Sequence, residues 1–540
     1  MPESIKIFDT TLRDGTQGEG ISLSVEDKLK IASKLDTLGI HYIEGGWPGS
    51  NSKDIEFFKR VQELSLKHAK ITAFGSTRRK GTDAANDANL LRIIESGVTV
   101  ATIFGKSWDF HVTTALETTL EENLNMIYDS VKFLKSNGLE VIYDAEHFFD
   151  GYLNNPEYAL ATILKAEEAG ADWVVLCDTN GGTLPEDIYR IVKTVVEKLS
   201  VPVGIHAHND CELGVANCLA AVKAGARQVQ GTINGFGERC GNANLVSVIP
   251  NLQLKLNYHV VDESQLRLLT SVARYVSEIA NVHMPNNQPY VGTGAFAHKG
   301  GIHVSAILKH SRTYEHIIPD LVGNKQRVLV SELAGQSNLL FKAQELNIDL
   351  NAENIKAKNI IQKIKELEHE GYQFDGADAS LELLLRQAVD DTIEEVLTLE
   401  SFKIIVEKTS NQSVVSEAIL KLKVHGETVY TAAEGNGPVN ALDSALRKAL
   451  VQFYPDIQNM HLTDYKVRVL DEKDATAAKV RVLIESTNAE NTWSTVGVSG
   501  NIIEASWQAL IDSMRYALLG KTRVKPHPER QRAQIGLVNH

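Results

Sequence analysis

Cysteine is scarce: four residues in 540, and none of Cys177, Cys211, Cys218 and Cys240 stands in a CxxC pair. That spacing argues against a disulfide framework or a zinc–thiolate site and fits reduced thiols in a cytosol. Long apolar runs are missing as well, since nothing approaches the ~20 residues of a membrane span. Positive charge is in deficit, with 55 Lys and Arg against 69 Asp and Glu and a formal net charge of −14. Such a balance argues against a broad nucleic-acid or anionic-membrane surface and leaves room only for a local basic patch toward a phosphorylated ligand. The strand-like "IKIFD" begins at residue 5, ahead of which no secretory leader fits, so a cytoplasmic protein is expected. What is present is the composition of a globular chain, 43% hydrophobic and 23% charged, too long for one core. Two or three domains are expected.

From residue 5 to about 256, β-branched runs alternate with longer helical patterns. Eight strands are predicted: "IKIFD", "HYIEGG" from 41, "KITAF" from 70, "TVATIF" from 99, "LEVIYDAE" from 139, "DWVVLCD" from 172, "VPVGIHAH" from 201 and "QVQGTING" from 228. Between them, Ser24 and Asp27 open a helix with a capping-box pattern that Gly39 ends, and Pro156 and Pro185 open two others. The strands are almost continuously apolar, which indicates a parallel sheet buried on both faces. Eight βα units of this length describe an α/β chain whose first domain, 1–270, is a (β/α)8 TIM barrel. A doubly wound open sheet is the structural alternative. The polar residues favour the barrel: Asp9 to Asp14, Glu44, Lys106, Glu146, Asp178 with Thr179, His206 with His208, and Asn234 to Asn242 all fall at carboxyl ends of strands, which a barrel gathers at one mouth.

Residues 271–395 change character. A stretch rich in Gly, Pro, Asn and His reads as loops and short helices, followed by a helix in "NAENIKAKNIIQKIKELEHEGY"; these are linker subdomains. From 396 to 525 a β-then-α pattern occurs twice, with Ala441, Ala445 and Leu446 echoed 64 positions later by Ala505, Ala509 and Leu510. Two βββα-like units would bury against each other what neither buries alone. This α+β domain carries no acid–histidine cluster, so effector sensing or dimerisation suits it better than catalysis. Residues 526–540 form a tail.

The chemistry is expected at the barrel mouth. In "GIHAHND", His206 and His208 lie two apart on a strand and share a face. Two hydrogen-bonded barrel histidines are the plain structural reading. Asp14 after the first strand supplies an anionic oxygen, however, and Asn242 of "GFGERCGN" after the last strand supplies an amide carbonyl oxygen. In a closed barrel these strands are near neighbours. Two imidazoles, a carboxylate and an amide oxygen suit Mn²⁺ or Mg²⁺, with Zn²⁺ or Co²⁺ as alternatives, and leave coordination positions open. Arg13 beside them is placed to stabilise an oxyanion; its structural reading is an ion pair with Asp9 or Glu44.

The segments "DTTLRDGTQ", "LCDTNGGTLP", "GIHAHNDCELGVANCLAAVKAGA" and "GTINGFGERCGNANL" resemble the signature segments of the 2-isopropylmalate, citramalate and homocitrate synthase family, metal-dependent Claisen-condensing barrels. "HKGGIHVSAILKHSRTYEHIIPDLVG" is similar to that family's subdomain behind the barrel, and the repeat resembles its regulatory domain. The likeness runs from residue 5 to about 520. "IEGGWPGSNSKD" and "AEHFFDGY" are most similar to the citramalate-forming branch, and Glu146, His147 and Phe148 depart from the isopropylmalate pattern.

The resemblance implies acetyl-CoA as co-substrate and a 2-oxo acid, pyruvate, as acceptor, with citramalate as product on the way to isoleucine and isoleucine as an effector. It implies that Thr179 donates to the oxo acid's carboxylate and that Glu146 serves acid–base work or orients the acetyl group. His303 and Tyr314 match residues that reach the partner subunit's barrel mouth in a homodimer and help proton abstraction. Phe104 and Tyr143, bulky and at strand ends, would shrink the substrate pocket and favour pyruvate. The plainer readings are pairing of Glu146 with His147 or Arg13, loop packing for His303 and Tyr314, and a solvated turn for the basic "STRRKG" at 76–81. Three rivals remain: a non-haem iron oxygenase on an antiparallel double-sheet barrel, a lyase resembling hydroxymethylglutaryl-CoA lyase, and a barrel that only binds metabolites.

Overall fold

A computed structural model describes residues 3–330, 336–346, 348, 354–389, 397–408, 414–470, 478–488 and 491–519; the tail expected at 526–540 lies outside the described residues. Two compact units divide the chain, Met1–Phe296 with His316–Gln326, and Ala297–Glu315 with Arg327–His540. Compactness thus cuts the chain at different places from the sequence boundaries at 270 and 395. Among the described residues no helix is long and apolar enough to cross a membrane.

The first unit is the barrel. Its strands are β1 (Lys6–Asp9), β2 (Tyr42–Gly46), β3 (Lys70–Ser76), β4 (Val100–Lys106), β5 (Glu140–Glu146), β6 (Trp173–Asp178), β7 (Val203–Ala207) and β8 (Gln228–Gly231), in sequential order and closed. Parallel pairing of Phe8 with Gln230 and of Asp9 with Gly231 joins β1 to β8 and excludes the open sheet. Local signals work as expected. Ser24 accepts from the Asp27 backbone N–H, Asp27 accepts from that of Ser24, and Gly39 ends the helix at φ 86°. Pro156 and Pro185 stand at helix starts, where a missing N–H leaves no bond unmade.

Strand alternation builds two different layers. Outward residues such as Ile7, Ile43, Ile103, Val141 and Ile205 join one apolar cluster with the surrounding helices. Inward, near the amino ends, Phe8, Tyr42, Val100, Ile142 and Val175 plug the barrel. Two residues further along those strands the same face carries Thr10, Glu44, Thr102, Asp144 and Cys177, all buried. Barrel interiors are normally filled by branched apolar side chains, so a polar second layer, with Gln228, Gln230 and His206 added, marks the end that does chemistry.

In the second unit, Asn354–Glu370 is helical as the sequence predicts. Each half of the repeat is a three-stranded antiparallel sheet followed by one helix: Leu397–Glu407, Val415–Val424, Glu427–Gly435 and Pro438–Leu450, then His461–Val469, Val480–Thr487, Thr492–Ser499 and Ile502–Leu518. The echoed Ala441, Ala445, Leu446, Ala505, Ala509 and Leu510 all lie in one shared core. The repeat extends to a hydrogen bond, since Thr431 Oγ1 donates to Ala445 O at 3.0 Å and Thr495 Oγ1 to Ala509 O at 2.7 Å.

Candidate active site

Asp14 opens a short 3₁₀ turn after β1, His206 lies within β7, and His208 follows it. One ligand atom from each of the three lies within 4.8 Å of the others, and all three residues are buried. His208 and Asn242 face each other across an isolated antiparallel bridge, which brings the loop after β8 to the end of β7. Asn242 Nδ2 donates to Asp14 Oδ1 at 3.0 Å and to Phe236 O, while its Oδ1 has no partner. His208 Nδ1 is likewise buried and unpartnered. Two orphaned lone-pair atoms beside a buried carboxylate are costly unless something electropositive fills the gap, so this donor set fits a divalent cation.

The protonation states agree with that fit. Burial works to raise the Asp14 pKa, but Arg13, His206, His208 and the Asn242 amide outweigh it and hold the group down at about 2. Burial, with help from His206, depresses His208 to about 4. Near neutrality the set is therefore one carboxylate with a neutral His208, the forms that ligate metals.

Arg13 is clamped. Its Nε donates to Glu44 Oε2 at 2.6 Å and its Nη1 to Asp14 Oδ2 at 3.0 Å, while the guanidinium carbon sits 3.7 Å from the centre of the Phe74 ring. The ion-pair partners are thus Glu44 and Asp14; Asp9 instead accepts from the Thr11 N–H and hydroxyl, and burial raises its pKa to about 7. Clamping leaves the remaining guanidinium N–H groups free to meet a developing anion.

A cavity of about 210 Å³ opens over this set, and Arg13, Asp14, Phe104, Glu146, Thr179, His206 and His208 all line it. Phe74, Phe104 and Trp47 form an aromatic wall, with ring centres 5.4 to 5.8 Å apart. Thr179 Oγ1 accepts from the His147 N–H at 2.8 Å, so its own proton is available to another acceptor. Glu146 pairs with Lys106, not with His147 or Arg13. Tyr143 does not belong here. It is buried in the outer layer between β5 and the helices, its hydroxyl 2.7 Å from where a Cβ on Gly105 would stand. Tyr143 and Glu146 are an odd number of residues apart on one strand and cannot share a face.

Elsewhere, His303 and Tyr314 belong to the second unit, where their rings stack with centres 4.1 Å apart. The basic turn at 76–81 is engaged internally: Arg78 pairs with Glu122 and Asp129, and Lys80 donates to the carbonyls of Leu116 and Glu117. Sequence reasoning missed Trp47, Asp144 and Gln230, and it gave Lys106 no partner. "QVQG" held a signal for Gln230, because two glutamines two apart on a buried strand put amides into the barrel.

Residues 4–276 match the HMGL-like family model, 290–372 the homocitrate synthase post-HMGL domain-like model, and 375–518 the LeuA allosteric (dimerisation) domain model. The chain is 56% identical to an (R)-citramalate synthase of Aquifex aeolicus, over 96% of this chain and 98% of that one. It is equally identical to one of Geobacter sulfurreducens over 95% and 97%. A 2-isopropylmalate synthase of Methanocaldococcus jannaschii is 33% identical over 96% and 95%. With its closed barrel, its following domains and its near full-length identity to those relatives, the chain belongs to the (R)-citramalate synthase family.

Proposed function

We propose that the chain is a cytoplasmic acyltransferase that condenses acetyl-CoA with pyruvate to give (R)-citramalate and CoA, a step toward isoleucine. The observation that carries this reading is the buried set of Asp14, His206, His208 and the orphaned Asn242 carbonyl oxygen beside the clamped Arg13, in a chain 56% identical to (R)-citramalate synthases. A bound divalent cation, Mn²⁺ or Mg²⁺ before Zn²⁺ or Co²⁺, would supply Lewis acidity toward the ketone oxygen.

The chain's own groups do the rest. The cavity suits a small oxo acid. Thr179, its hydroxyl already accepting from His147, donates to the acid's carboxylate. The acetyl methyl gives up a proton, its carbon bonds to the ketone carbon, and Arg13 stabilises the oxygen that becomes negative. Glu146, which lines the cavity and pairs with Lys106, would serve acid–base work or orient the acetyl group. His303 and Tyr314 would assist proton abstraction at the mouth of the second barrel of a homodimer, which the match to a LeuA dimerisation domain supports. Water then cleaves the thioester, which makes the reaction irreversible. Isoleucine would act at the repeat domain.

One assay tests the reading: thiol release from acetyl-CoA with pyruvate, 2-oxobutyrate, 2-oxoisovalerate and 2-oxoglutarate, with and without a chelator. Release with pyruvate, lost on chelation and restored by Mn²⁺, is expected. Preference for 2-oxoisovalerate or 2-oxoglutarate would make the chain an isopropylmalate or homocitrate synthase. Activity unchanged by chelation would remove the metal. Inhibition unresponsive to isoleucine would remove the effector.

A further inference from the structure

We propose that Gln230 is a positioning residue that fixes the tautomer of His206, and that Asp144 fixes the direction of the Gln230 amide. The inference rests on the metal site proposed above and adds three residues' worth of control behind it.

His206 Nδ1 lies 2.8 Å from Gln230 Oε1. A carbonyl oxygen only accepts, so Nδ1 must carry the ring proton and Nε2 keeps its lone pair. That Nε2 is the atom facing Asp14, 3.7 Å from Oδ2. Turned over, the same amide would offer an N–H to Nδ1 and move the proton to Nε2, which could then hold no cation. What prevents the turn is at the amide's other end. Gln230 Nε2 donates to Asp144 Oδ1 at 3.0 Å and reaches Gln228 Oε1 at 3.4 Å, so two oxygens face the NH₂ group. Asp144, Gln228 and Gln230 are all buried in the polar layer, where no solvent competes for these bonds. β7 and β8 pair His206 directly with Gln230, so the backbone ladder holds the bond in register.

A carboxylate or carbonyl behind a ligating histidine is the usual way to orient it, and loss of such a partner costs ~10–100-fold in metal affinity. Here the carboxylate acts one residue removed, through an amide.

The test uses the full chain and Mn²⁺ alone, with binding followed by loss of the free-ion electron paramagnetic resonance signal and folding followed by thermal melts. Gln230→Leu is expected to raise the Mn²⁺ Kd by ~10–100-fold. Gln230→Glu, which keeps an acceptor for His206 Nδ1, is expected to recover at least part of that loss. Asp144→Leu, which removes the acceptor at the NH₂ end and lets the amide turn over, is expected to raise the Kd as well, and it serves as the second variant if Gln230→Leu does not fold. Parent-like Mn²⁺ affinity in a folded Gln230→Leu or Asp144→Leu overturns the relay while leaving the metal site intact. A parent chain that takes up no Mn²⁺ overturns the site and the relay together.

Discussion

Glu44 holds Arg13 in place: its Oε2 accepts from the guanidinium Nε at 2.6 Å and from the Thr10 hydroxyl, with Glu44 fully buried. Arg13 follows β1 by four residues and Glu44 lies within β2, the neighbouring strand of the barrel, so strand pairing brings the two together. Arg13→Ala should reduce kcat by ~10²–10³-fold, the usual cost of one oxyanion donor. Glu44→Ala removes one of the two carboxylates that hold the buried Arg13, leaving Asp14, and should destabilise the barrel by about 1–3 kcal/mol. The double variant should be more stable than Glu44→Ala alone. Urea unfolding of the three variants checks the order, and a double variant no better than Glu44→Ala would refute it.

Trp47 should help to measure the oxo acid's alkyl group. Its ring meets Phe74 and Phe104 edge-on, and its indole N–H donates to Asn89 Oδ1 at 2.6 Å, which fixes its tilt. Trp47→Ala should raise kcat/KM for 2-oxobutyrate relative to pyruvate by ~10-fold or more, since one methylene in an apolar pocket is worth about 1–3 kcal/mol. Competition assays with the two acids give the ratio directly.

His41 links stability to mild acid. Its Nδ1 accepts from the Ile7 N–H at 3.1 Å, and burial, aided by Lys6 and His259, depresses its pKa from 6.5 to about 4. Between those values the unfolded chain binds a proton that the folded chain does not, so stability falls as pH drops through that window. After discounting for partial exposure, the loss is on the order of 2 kcal/mol. The drop in Tm from pH 7 to pH 4.5 should be smaller in His41→Gln. An identical drop would assign the effect to other groups.

The repeat predicts matched sensitivities 64 positions apart. Thr431→Val and Thr495→Val each leave a helix carbonyl without its side-chain donor, and each should cost about 1 kcal/mol. Ala445→Leu and Ala509→Leu, fully buried against a sheet, should each cost about 1–3 kcal/mol by overpacking. Thermal melts of the four variants test whether the two halves respond alike.

Much of the site was legible because its signals are local. An HxH pair on one strand shares a face whatever the fold, and Asp14 follows its strand by five residues. Tyr143 was misplaced although its parity against Glu146 already put it on the outer face. Gln230 and Asp144 were harder, because each becomes meaningful only beside a residue from another strand. His303 and Tyr314 rest on resemblance, and their packing against each other does not by itself give them a substrate.

By itself the sequence determined eight strands, their helices, the doubled βββα pattern and the residue types gathered at strand ends, since periodicity, caps and prolines act over a few neighbours. The tertiary structure alone decided that Arg13 grips Glu44 rather than Asp9, that Glu146 pairs with Lys106, and that Asp144 reaches His206 through Gln230. Those choices depend on barrel closure and strand register, which set distances between residues that the chain itself keeps far apart.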